Sequence, residues 1–194
     1  SDRDWSSDVC SSDLGDAIQV NGVTGASGVV KLTVKDSDFT SAVASGNGGI
    51  SMNPLGNIGF IADIDNNVFN GVINNVATIG AIGITSGGAA TTDITMRNND
   101  LDNIIGGRGI TATVDGGHTE LMFDNNSIDS LGSASKYAIS VGSTNNSMGG
   151  TVGNVDVTLQ NNKIGQAGAL WTSGPGTAEA VFLTAGYGAS MDAL

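Results

Sequence analysis

Hydrophobic residues along this chain do not recur at helical spacing. They alternate with polar ones in short runs that stop at Gly or Asn, the pattern of strands with one buried face. The clearest run is DVTLQNNKI (Asp156 to Ile164), and variants precede it: KLTVKDSDF (from Lys31), IADIDNNVF (from Ile61), DITMRNNDL (from Asp93) and ELMFDNNSI (from Glu120). Each reads as a strand, a two-residue corner and a second short strand. Ahead of each copy lies a Gly-bounded strand, in order GDAIQVNG, GGISMN, GAIGITS, GRGITATV and YAISVG. A sixth such strand, EAVFLTAG, follows the last copy.

The last apolar residues before the corners are Val34, Ile64, Met96, Phe123 and Leu159, at intervals of 30, 32, 27 and 36 residues. A wandering period in this range means stacked supersecondary units with insertions in their loops. Helical repeats of similar period need long apolar patterns at helix spacing, and the glycines interrupt every one. The expectation is an all-β parallel solenoid of about five coils with strands of two to five residues, its neighbouring strands about 4.8 Å apart. Columns at Val34, Phe39 and Ile50 are expected to point inward.

The corner gives Asn its role, because Asn tolerates the left-handed conformation and bonds the local backbone. In register, one column reads Asp36, Asn66, Asn98, Asn125, Asn161 and the next Ser37, Asn67, Asn99, Asn126, Asn162. Amides at strand spacing can bond one another up the stack as a ladder. Both columns are assigned to it, and Asn125 is expected to be buried.

Composition changes the picture at one place. Residues 1–14, SDRDWSSDVCSSDL, resemble the in-frame translation of a sequencing-library adapter, and are set aside as a non-native, disordered leader. Residues 15–194 then form one domain. The leader holds the single cysteine, four of the 19 acidic residues and one of the seven basic ones, so the remaining net charge is 6 − 15 = −9. That balance argues against nucleic-acid and anionic-membrane partners. Without cysteine the domain has neither disulfides nor a thiolate metal site. No apolar run is long enough for a membrane helix. The 30 glycines and two prolines suit a chain of many tight corners.

These repeats resemble the right-handed parallel β-helix of the pectate lyase-like superfamily over residues 15 to 190. That superfamily holds polysaccharide lyases and hydrolases, phage tailspikes, and adhesin or autotransporter passengers. The resemblance implies a right-handed solenoid and leaves function to be argued from sites.

The best acid–base or metal candidate is the trio Asp100, Asp102 and Asp129. The first two flank inward Leu101, and Asp129 is expected to stack on Asp102, a like-charge arrangement that a cation or shared proton would relieve. Calcium is the one cofactor this chemistry would suit. Arg108 lies nearby and could neutralise the trio or serve as a lyase base. Asp36, Asp38, Asp63 and Asp65 form a weaker set. His118, in Gly-Gly-His-Thr, is only loosely similar to the Gly-His-Gly element of pectic hydrolases, whose other elements are missing, and reads as a surface residue. Tyr137, Trp171 and Tyr187 are the aromatics free to serve a ligand, and the Gly-rich insertions at residues 143–154 and 166–178 are the places for binding loops.

The reading that follows is a structural or adhesive segment of a large secreted or surface-exposed bacterial protein. It would carry no catalysis of its own, with further coils at both ends and glycans or proteins of host or cell surfaces as partners. The alternative is a polysaccharide lyase or glycoside hydrolase using the outward acids.

Overall fold

The computed structural model describes residues 17–40, 48–71, 80–104, 108–129, 137–143, 152–165, 179–185 and 190–193. The leader, Trp171, Tyr187 and the second insertion lie outside the described residues, as does most of the first. The described residues form a parallel β-solenoid with no helix. Its first coil is β1 (Ile18–Asn21), β2 (Ser27–Lys35) and β3 (Asp38–Thr40). The next is β4 (Ile50–Asn53), β5 (Asn57–Asp65) and β6 (Val68–Asn70). Then follow β7 (Gly80–Ser86), β8 (Thr91–Arg97) and β9 (Asp100–Asp102), and β10 (Arg108–Val114), β11 (His118–Asp124) and β12 (Ser127–Ile128). After β13 (Tyr137–Ser143), β14 (Asn154–Gln160) and β15 (Lys163–Ile164), β16 (Glu179–Ala185) and β17 (Ser190–Ala193) add one strand each to two of the sheets.

Three parallel sheets result. The first is β1-β4-β7-β10-β13-β16, the second β17-β14-β11-β8-β5-β2 and the third β15-β12-β9-β6-β3. The expected strand length is too short: β2 and β5 run for nine residues and the later strands of the second sheet for seven, except four-residue β17. The pairing explains it. β2 and β5 match without a break from Ser27 opposite Asn57 to Lys35 opposite Asp65, although Gly28 and Gly59 interrupt the sequence pattern.

Alternation sends every second side chain inward. The column Val34, Ile64, Met96, Phe123 is buried, as are Phe69, Leu101 and Ile128 from the third sheet and Ile50, Ile82, Ile110 and Ile139 from the first. Phe39 stacks on Phe69 with ring centroids 4.6 Å apart. One continuous core therefore joins the coils, contributed by all three sheets.

The two corner columns divide the work. Asp36, Asn66, Asn98, Asn125 and Asn161 all take φ between 51° and 56°, the left-handed turn that the corner needs. They are exposed, Asn125 included, which corrects its expected burial. A side chain at the left-handed position points away from the core. Their amides still reach across coils, Asn125 Nδ2 donating to Asn98 Oδ1 at 2.8 Å and Asn66 Nδ2 to Asp36 Oδ1 at 2.6 Å. Elsewhere the partner is one residue earlier, as where Asn98 donates to Asp65 and Asn161 to Asp124.

The buried ladder is the second column. Asn67, Asn99 and Asn126 are at most 1% exposed. Asn67 Nδ2 donates to Asn99 Oδ1 at 3.0 Å and Asn99 Nδ2 to Asn126 Oδ1 at 2.9 Å. Asn126 Nδ2 continues to Asn162 Oδ1 at 2.9 Å. Each amide also donates to a carbonyl of the preceding coil: Asn67 to Val34, Asn99 to Ile64, Asn126 to Met96 and Asn162 to Phe123. Backbone N–H groups of Ser37, Asn67, Asn99 and Asn126 donate into the next side-chain oxygen. Burying these amides is tolerable because their donors and acceptors are matched.

Candidate functional site

A parallel, in-register sheet converts a sequence column into a row of neighbouring side chains, so chemistry on the outer faces follows from register. On the second sheet, one outward column runs Lys31, Ile61, Asp93, Glu120, Asp156 through successive pairings. Its last three members are acidic and exposed. His118 belongs to the neighbouring column, two residues before Glu120 on β11, so its side chain is on the same outer face.

His118 Nε2 lies 3.3 Å from Glu120 Oε1 and 3.5 Å from Asp156 Oδ2. All three side chains are open to water, at 40%, 61% and 56% exposure. Their donor atoms fall within 4.8 Å of one another, and this is the grouping of three metal-type ligands among the described residues. One nitrogen and two carboxylate oxygens so placed could contact a divalent cation. The same geometry also serves as a polar contact in which one imidazole nitrogen lies between the carboxylates of two stacked acids.

The second outward column of interest alternates in sign: Lys35, Asp65, Arg97, Asp124. Arg97 binds Asp65 at 3.1 Å and Asp63 at 3.2 Å, while Lys35 reaches Asp63 at 2.7 Å. Burial alone would raise the Asp65 pKa. Hydrogen bonds from Asn98 and Arg97, with the charges of Arg97 and Lys35, outweigh it and hold the carboxyl below its ordinary value. The hydrogen bond to Asp65, with the charges of Asp63 and Asp65, keeps Arg97 above its own. Asp63 and Asp65, half of the weaker acidic set, are thus ion-paired; Asp36 and Asp38 are exposed at the corner of the first coil.

The expected trio does not form an open acidic face. Asp100 is exposed beside Ser127. Asp102 is half-buried, its carboxylate accepting from Asn103 N at 2.8 Å and Asn103 Nδ2 at 3.2 Å. Asp129 continues the expected register, its N–H donating to Leu101 O at 2.8 Å, yet the residue is only 5% exposed. β12 ends at Ile128, so Asp129 lies one residue beyond the strand and not on its outer face.

Arg108 corrects another expectation. It starts β10 on the first sheet, where its guanidinium lies over the Tyr137 ring at 4.8 Å and donates from Nη1 to Ser140 Oγ at 3.0 Å. Among the described residues it forms no ion pair with the trio. Burial pulls its pKa below the ordinary value, and Tyr137 partly offsets this. Tyr137 in turn stacks on Phe182 with centroids 4.7 Å apart, so the expected free aromatic is packed into a cation–ring–ring pile.

The acidic column was missed by sequence reasoning, although its signal was present. Asp93, Glu120 and Asp156 are the first residues of three consecutive motif copies, and aligning that position as carefully as the corner would have found them. Comparison with known protein families, with characterised proteins and with solved structures gave no match.

Proposed function

We propose that this chain is a structural and adhesive solenoid segment of a large secreted or surface-exposed bacterial protein, without catalysis of its own. What carries the reading is the matched asparagine ladder: the most regular polar groups of the chain are spent on joining one coil to the next. A unit that bonds its neighbour on both sides suits an extended rod, on which loops and outer faces meet glycans or proteins of a cell surface. Adhesin and autotransporter passengers of the pectate lyase-like class fit this description.

The polysaccharide lyase or hydrolase reading has less support. Its acids are divided between an exposed strand position, an Asn-bound carboxylate and a buried strand end, and Arg108 is turned to Tyr137. Calcium at these acids would belong to that reading.

The test applies the purified protein to arrayed glycans and intact cells, and separately to acidic polysaccharides. Saturable binding without release of new sugar ends is expected. Release of ends that Asp102→Asn or Arg108→Lys abolishes would overturn the proposal.

A further inference from the structure

We draw no further inference here: the strongest candidate, the His118–Glu120–Asp156 cluster on the outer face of the second sheet, is a solvent-exposed acidic group around one imidazole, and nothing else in the structure points to a ligand there.

Discussion

Asn99 gives Asn126 two hydrogen bonds at once, its backbone N–H and its side-chain Nδ2 both donating to the same Oδ1, at 3.1 and 2.9 Å. A single side-chain oxygen thereby fixes both the main chain and the side chain of the coil before it. Because Asn126 Nδ2 also bonds Met96 O, one buried amide ties three places together.

The corner between the first and second sheets depends on glycine. Gly117 has φ of +72°, and a Cβ there would run into the Ala90 carbonyl. Gly117→Ala is expected to cost roughly 2–4 kcal/mol from left-handed strain and overlap. Gly83 is the control, since a Cβ there meets nothing nearer than 3.8 Å. Gly83→Ala should be neutral or stabilise by up to about 1 kcal/mol. Urea denaturation of both variants separates the two cases.

The Asp65 pKa is lowered in the folded protein, so its contribution is present above the unfolded value, near pH 4, and is lost as pH falls through the folded one. Asp65→Asn removes the carboxylate. The variant's stability should therefore fall less steeply with acid than the parent's, and the two curves should converge at the lowest pH. Denaturation midpoints measured between neutral and strongly acidic pH check this; parallel curves would contradict it.

Stacked acids at strand spacing repel. Glu120 pairs with Asp93 on one side and Asp156 on the other. Glu120→Lys places a cation between them and is expected to raise the melting temperature, by less in high salt than in low salt. A gain independent of salt would place its origin outside electrostatics.

Much of this fold was legible because a solenoid repeats its physics. Five copies of one motif set the inward columns at Val34 and Phe39, the Gly-bounded strands set the column at Ile50, and the left-handed corner followed from Asn at fixed offsets. What escaped reading was whatever departs from the repeat. β17 is a four-residue strand, too short for an alternating pattern to be read, and β2 and β5 continue across glycines because their partner strands keep them extended. Asp129 looked like an outward strand residue, but β12 stops one residue before it. At the site, Arg108 and the acids are close in sequence yet belong to different sheets, a separation that only the path of the coil determines.

The central claim is that the second corner column, not the first, holds the coils together. Urea denaturation of Asn126→Leu beside Asn125→Gly tests it most directly. Asn126→Leu strands the Asn99 donors and the Met96 carbonyl in a dry corner and should cost about 3 kcal/mol. Asn125→Gly keeps the left-handed turn and gives up one exposed amide contact, so its cost should stay below about 1 kcal/mol. Equal losses in the two variants, or a larger loss at Asn125, would contradict the account.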